Sequence, residues 1–156
     1  LSEDKLGGFH FNARKYADDD LIVGTVNPFE LFDVFTKLVA AGSKADKIVY
    51  MIDQSHSIEP KIEAMLMSII NCQTALAKAL IVDYPALQTA QMNGDILVAQ
   101  SILTKAFETD VYPLLEEVRE EMGVPRDPLS AYRKDNYRQK IIKERGISEA
   151  NNGYPV

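Results

Sequence analysis

Residues 8–21 read GFHFNARKYADDDL, a strand-like run that carries a histidine and leads into three successive aspartates. Aromatic and polar side chains alternate in its first half, which is the pattern of a strand with one apolar face. Alternate side chains of a strand point to the same side, so His10 and Asn12 are expected on one face and the two phenylalanines on the other. The imidazole should therefore face away from the apolar layer.

The aspartates at the end of this stretch are candidate metal ligands. Asp18 and Asp20 lie two residues apart, so an extended backbone points both carboxylates to the same side. Together with His10 they form a donor set that suits Mn2+, Mg2+, Co2+ or Zn2+. The alternative interpretation is a solvated acidic loop or a helix start beside an ordinary polar histidine. The stretch alone leaves both interpretations open.

A helix and a second strand are predicted next. Asn27 can cap a helix that begins with Pro28, and Glu30 is placed to bond back to the cap. Helical spacing of apolar residues continues as far as Gly42, which can take the left-handed conformation that ends helices. Residues 48–52, IVYMI, form a short apolar run typical of a strand buried on both faces.

The order strand, helix, strand predicts a βαβ unit with two parallel strands in one sheet. The carboxyl ends of the two strands then meet at one edge, and Asp53 directly follows the second strand. This carboxylate would join His10, Asp18 and Asp20 at the edge where α/β barrels build their active sites. Such a cluster of ligand-type residues favours a metal site over a set of ordinary solvent-exposed polar residues.

From Asp83 onward the sequence predicts short helices separated by Asp, Gly and Pro residues. Pro113 must kink or restart its helix, and the last helix is expected at residues 137–145. A run of glutamates within residues 116–121 indicates a solvated helix face. Because this part holds no compact set of catalytic residue types, we interpret it as a packing or subunit-contact extension.

Length and composition narrow the function classes. The chain has 156 residues, 46% of them apolar, which suits one domain with a real core. A net charge of -6 makes nucleic acid and an anionic membrane poor partners. The single Cys72 predicts a small buried residue in a reducing compartment, and neither a signal peptide nor a membrane-length apolar run is evident. We therefore expect a cytoplasmic protein.

The chain starts at Leu1 without an initiator methionine and reaches its ligand-type residues at once, which predicts the carboxyl-terminal portion of a longer protein. The motifs that carry a family resemblance are GFHFN and YADDDL, then Asn27-Pro28 and DQSH from Asp53. Together they resemble the carboxyl-terminal part of bacterial L-rhamnose isomerases of broad substrate range, relatives of xylose isomerase. The resemblance runs along most of the chain.

The resemblance implies an α/β fold. Residues 1–82 would supply the last βαβα part of a (β/α)8 TIM barrel, residues 83–146 a helical carboxyl-terminal extension, and residues 147–156 a flexible tail. The implied activity is a metal-dependent aldose-ketose isomerisation of L-rhamnose to L-rhamnulose and of related sugars. Two divalent metal ions, usually Mn2+ with Mg2+, Co2+ or Zn2+ as alternatives, would serve as cofactors, and the complete enzyme would be a homo-oligomer.

The resemblance also implies roles for individual residues. His10 and Asp53 would bind the metal ion that holds the oxygens of the sugar. Asp18 and Asp20 would bind the second ion, which accompanies the hydrogen that moves between the first two carbons. Ser55 would lie near the substrate in a supporting polar role. The implied catalytic set is Asp20, Asp53 and Ser55.

The family completes its site with a glutamate, an aspartate, a histidine and a lysine from earlier strands, and no segment of this chain matches them. The chain would carry about two of the eight barrel strands. We therefore predict that the isolated chain does not isomerise sugars. His56 is left open between a supporting and a structural role. Other functions considered are a related sugar epimerase, a phosphodiester-cleaving nuclease, which the acidic charge disfavours, and a helical interaction module without catalysis.

Overall fold

The computed structural model describes residue 3 and residues 5–16, 19–54 and 59–146. Two parallel strands, β1 (Gly8–Phe11) and β2 (Val49–Ile52), form a sheet. Helix α1 (Pro28–Ala41) connects them, so the predicted βαβ unit is confirmed.

The start of α1 follows from its first residues. Asn27 caps the helix by accepting a hydrogen bond from the backbone N–H of Glu30 at 3.1 Å. Its side-chain amide also donates to the Glu30 carboxylate at 3.3 Å, so the glutamate bonds to the side chain of the cap. Gly42 ends the helix as predicted, with a positive φ of 56°, but its ψ of -135° differs from the left-handed helical conformation that the sequence led us to expect.

The remaining chain within the described residues is helical, and the short connections hold Asp, Gly and Pro as the sequence predicts. The helices are α2 (Lys61–Leu80), α3 (Tyr84–Asn93), α4 (Ile96–Glu108), α5 (Tyr112–Glu121), α6 (Pro128–Asp135) and α7 (Tyr137–Arg145). Helices α1, α4, α5 and α6 each contact α2, and α3 packs mainly on α4. The long helix α2 therefore joins the βαβ unit to the helices that follow it.

The core lies between α1, α2 and one face of the sheet. Phe9 and Phe11 point to this face, and the ring of Phe11 stacks on that of Phe35 with centroids 5.4 Å apart. Phe32 and Val23 are fully buried in the same cluster. The two phenylalanines of β1 thus anchor the sheet to α1, which leaves the other face of β1 for polar residues.

The expectation that β2 is buried on both faces is wrong for this chain. Val49 is 65% exposed and Met51 is 51% exposed, because none of the described elements packs over the sheet face that carries them. Tyr50, on the helix side, is 47% exposed. Among the described residues, no single helix is long and apolar enough to span a membrane, although α2 and α3 meet the length and composition criteria as a pair bent by 71°.

Candidate functional site

The parallel register brings His10 and Asp53 together. His10 pairs with Met51 across the sheet, and the ladder continues one residue beyond β2 because the N–H of Asp53 donates to the Phe11 carbonyl at 2.9 Å. Asp53 is two residues after Met51, so its side chain lies on the same face as the imidazole. The Nδ1 atom of His10 is 3.5 Å from Oδ2 of Asp53.

The spacing of these two atoms fits a pair of ligands. At 3.5 Å it exceeds the usual length of an N–H···O hydrogen bond. Neighbouring ligand atoms around an octahedral ion with bonds of about 2.1 Å lie about 3 Å apart. Both side chains are accessible, at 64% exposed for the histidine and 55% for the aspartate. The imidazole and the carboxylate thus lie close together on an open face, and their sharing of one divalent ion stays a prediction.

Asp20 reaches the same face of the sheet by a different route. The backbones of Ala13 and Leu21 form an antiparallel bridge, with N–H to carbonyl distances of 3.0 and 2.8 Å, which folds the loop back beside β1. Asn12, two residues after His10 on the same face, donates from Nδ2 to Oδ1 of Asp20 at 2.8 Å. The sequence placed Asn12 on this face but gave it no role; its partner became visible only with the loop folded.

Asp19 has a structural task in the same loop. Its carboxylate accepts hydrogen bonds from the backbone N–H groups of Tyr16, at 3.0 Å, and Lys15, at 3.1 Å. These bonds, the one from Tyr16 foremost, lower the pKa of Asp19 below its usual 3.8. Asp19 therefore holds the turn of the loop with its carboxylate.

Three other candidate site residues cannot be placed by the structure. Asp18, Ser55 and His56 lie outside the described residues. Among the residues that are described, no group of three or more His, Cys, Asp or Glu side chains is arranged to hold a metal ion. The structure thus places His10 with Asp53 and Asn12 with Asp20, and metal binding by the full predicted set stays a prediction.

Gln54 is a neighbour of the site that the sequence did not single out. It is only 7% exposed, and its Nε2 donates to Oε1 of Glu59 at 2.5 Å. Its Oε1 atom is buried without a hydrogen-bond partner among the described residues. The bond to Glu59 spans residues 55–58 and ties the residue after Asp53 to the approach of α2. The sequence carries no signal for this contact, because a buried glutamine beside a candidate ligand has no distinctive spacing.

Comparison with known proteins adds a family context to this geometry. No protein-family model matches the chain. It is similar to sugar isomerases. A probable sugar isomerase of Mesorhizobium japonicum and one of Rhizobium meliloti are each 44% identical to it over 144 residues, which is 90% of this chain and 34% of each relative. The chain thus spans about a third of the length of these curated relatives. Their names support the sugar-isomerase part of the resemblance and specify no sugar.

Proposed function

We propose that the chain is part of a metal-dependent aldose-ketose isomerase that acts on L-rhamnose and related sugars. The observation that carries the proposal is the His10–Asp53 pair at the carboxyl ends of two parallel strands, 3.5 Å apart on an accessible face. The similarity to two probable sugar isomerases supports the reaction class. In this reaction one carbon of the sugar is reduced as its neighbour is oxidised, so no external oxidant is needed.

The donor set fits divalent ions with a preference for oxygen and imidazole ligands, such as Mn2+. In the proposal His10 and Asp53 hold one ion, and Asp20 holds the second together with Asp18. When bound there, such ions would supply the Lewis acidity that polarises the sugar carbonyl and lowers the pKa of the adjacent hydroxyl group. The chain itself contributes carboxylate charge, and Asn12 orients Asp20 by bonding to Oδ1.

The proposal includes a (β/α)8 barrel with this chain as two of its strands. The uncovered sheet face, with Val49 and Met51 exposed, is what a barrel interior looks like when the neighbouring strands belong to another segment. Active sites of such barrels lie at the carboxyl ends of the strands, where His10 and Asp53 meet. The remaining ligands and the walls of the sugar pocket would come from that other segment, and the complete enzyme would be a homo-oligomer.

A chimera tests the function directly. This chain replaces the matching third of the Rhizobium meliloti relative, bound metal is removed with a chelator, and Mn2+ is returned. We expect the chimera to convert L-rhamnose to L-rhamnulose when Mn2+ is present. Asp53→Asn should lower the rate at least about a hundredfold, because it removes a ligand charge. The matched control Asp46→Asn, which lies beside the apolar cavity on the helix side of the sheet, should keep the rate.

The other outcomes separate the alternatives. A chimera that interconverts two ketoses but no aldose would be an epimerase. A chimera that releases no heat on titration with Mn2+ and turns over none of a panel of aldoses would leave a helical interaction module, provided that the unmodified relative is active in the same assay. Isomerisation by the isolated chain of 156 residues would contradict its assignment as an incomplete part of the site.

A further inference from the structure

The loop between β1 and α1 is fastened to α2 through both polar backbone groups of one residue. Val23 is fully buried; its N–H donates to Oγ of Ser68 at 3.2 Å, and its carbonyl accepts from Nδ2 of Asn71 at 2.7 Å. Ser68 is itself fully buried. The two α2 residues are three positions apart, which places them on one side of the helix. Helix α2 therefore supplies both partners that the buried backbone of Val23 requires.

Val23 follows the candidate ligand Asp20 by three residues. The backbone bridge between Ala13 and Leu21 and the bond from Asn12 to Asp20 lie directly before Val23 in the loop. The backbone that follows Asp20 is thus held at two points, at Leu21 by its bridge to Ala13 and at Val23 by α2. A carboxylate that directly precedes two fixed points of backbone, and that also accepts a bond from Asn12, has little freedom to move.

The segment that holds the second candidate ligand, Asp53, precedes the same helix in the chain. The chain enters α2 from Asp53, and the buried Gln54 bonds to Glu59 just before the helix begins. Helix α2 is therefore bonded to the loop of Asp20 along its side, and it begins two residues after Glu59, to which the residue after Asp53 is bonded. A fixed distance between these two segments is what a pair of neighbouring metal sites needs.

We propose that Ser68 and Asn71 are positioning residues that set the location of the Asp20 carboxylate relative to Asp53. This inference rests on the proposed function, since it assigns Asp20 to a metal site. Neither residue faces the site; both act through the backbone of Val23. Loss of either bond frees the loop, shifts Asp20 away from Asn12 and weakens metal binding.

The first test uses the metal-free chain and needs no catalysis. The variants are Ser68→Ala, which removes the acceptor for the Val23 N–H, and the isosteric Asn71→Asp, which removes the donor to its carbonyl. We expect hydrogen exchange of the Leu21 N–H to accelerate at least about fivefold, because this amide is bonded within the loop. The NMR signal of the Asn12 side-chain amide should shift, since its partner is Asp20.

A matched variant on the same helix separates positioning from general loosening of α2. Thr74 donates its hydroxyl to the Ile70 carbonyl within the helix at 2.8 Å, so Thr74→Val removes a hydroxyl without touching Val23. This control should leave both the Leu21 exchange rate and the Asn12 signal as in the wild type. If Asn71→Asp does not fold, Ser68→Ala carries the test alone, because it adds no volume to the core.

The second test measures Mn2+ affinity in the chimera. Ser68→Ala and Asn71→Asp should weaken binding about tenfold, as loss of groups that orient ligands does, while Thr74→Val should not. Unchanged Leu21 exchange and an unchanged Asn12 signal in folded variants would overturn the inference, as would unchanged Mn2+ affinity. A wild-type chimera that binds no Mn2+ would instead overturn the proposed function, and the NMR signals would still decide whether α2 places Asp20.

Discussion

At the scale of single residues, the surroundings of Cys72 change the acidity of its thiol. Burial raises the pKa of the Cys72 thiol from its ordinary value of 9.0 to about 11. The side chain lines an apolar cavity of about 580 Å3 between α1, β2 and α2, where a thiolate would have little solvation. The sequence predicted a small buried residue, and the structure shows it partly rather than fully buried. Cys72 is therefore a thiol of low reactivity.

Alkylation measures this directly. The higher pKa lowers the thiolate fraction at pH 8 about a hundredfold, and the greater nucleophilicity of the more basic thiolate restores about tenfold. We therefore expect Cys72 in the folded chain to react with iodoacetamide about ten times more slowly than in the same chain unfolded by urea. Because the chain has a single cysteine, total incorporation of label reports this site alone. Equal rates of alkylation in the folded and the unfolded chain would contradict the burial of the Cys72 thiol.

Gly24 gives a second prediction at this scale. Its φ is +76°, and a Cβ atom there would lie 2.9 Å from Cδ2 of the buried Leu31. Gly94 has a similar φ of +74° with no atom within 4 Å of the added carbon. Gly94→Ala should therefore incur only the backbone strain of about 1 kcal/mol, whereas Gly24→Ala should destabilise the chain by about 1 kcal/mol more. Urea unfolding of the two variants measures the difference, and equal losses would show that Leu31 moves freely.

At the scale of elements, a buried cation joins α2 to α5. Arg119 is 3% exposed and donates from Nη2 to Oε1 of Gln73 at 2.7 Å and from Nη1 to the carbonyl of Arg126 at 3.1 Å. The neighbouring Arg126 is exposed and pairs with Glu116 and Glu120. Arg119 thus joins α2, α5 and the turn after α5. Arg126 instead pairs with the acidic face of α5 that we expected to be solvated.

Replacing Arg119 should lower the free energy of unfolding more than replacing Arg126. Arg119→Met removes the partly buried hydrogen bonds that a charged group donates to Gln73 and to the carbonyl at residue 126, so the free energy of unfolding should fall by about 2 kcal/mol. Arg126→Met removes only exposed ion pairs and should change it by less than about 1 kcal/mol. Urea denaturation of both variants measures the contrast. A loss in the first variant no larger than in the second would mean that α5 is held by apolar contacts alone.

The sequence predicted the elements well because local chemistry determines their ends. Asn27-Pro28 and Asp127-Pro128 stand at helix starts, and both polar side chains accept the expected backbone N–H. The position of His10 beside Asp53 also followed from a general rule, since parallel strands joined by one helix align their carboxyl ends. The bonds of Val23 could not be predicted, because they join side chains to backbone across a long separation in sequence. They exist only once α2 has docked.

At the scale of the whole molecule, the described residues form a sheet of two strands. A two-stranded parallel sheet leaves strand edges unpaired, and Val49 and Met51 expose apolar surface on its open face. The family resemblance implied a sheet of only about two barrel strands, but the open face of β2 was not predicted, since its run of apolar residues is typical of a strand that is covered on both sides. The exposed face is the surface that further barrel strands would cover in the proposed enzyme.

Fragment complementation tests this surface. We expect the chain to bind the remaining two-thirds of the Rhizobium meliloti relative when the two are expressed together, and its thermal midpoint to rise, because ligation of the folded state stabilises it. Met51→Lys places a charge on the open face and should abolish binding. Leu97→Lys, at an 82% exposed position of α4, is the matched control and should have no effect. Equal binding by both variants would contradict the barrel proposal.

The bonds at Val23 also dictate an order of events. Val23 and Ser68 are separated by 45 residues, so closing this contact costs entropy that only a formed α2 can offset. During synthesis the first strand and the acidic loop emerge from the ribosome well before that helix. The loop consequently acquires its final shape late, only when the second half of the βαβα unit has been made, and the proposed cation site would be completed no earlier than that.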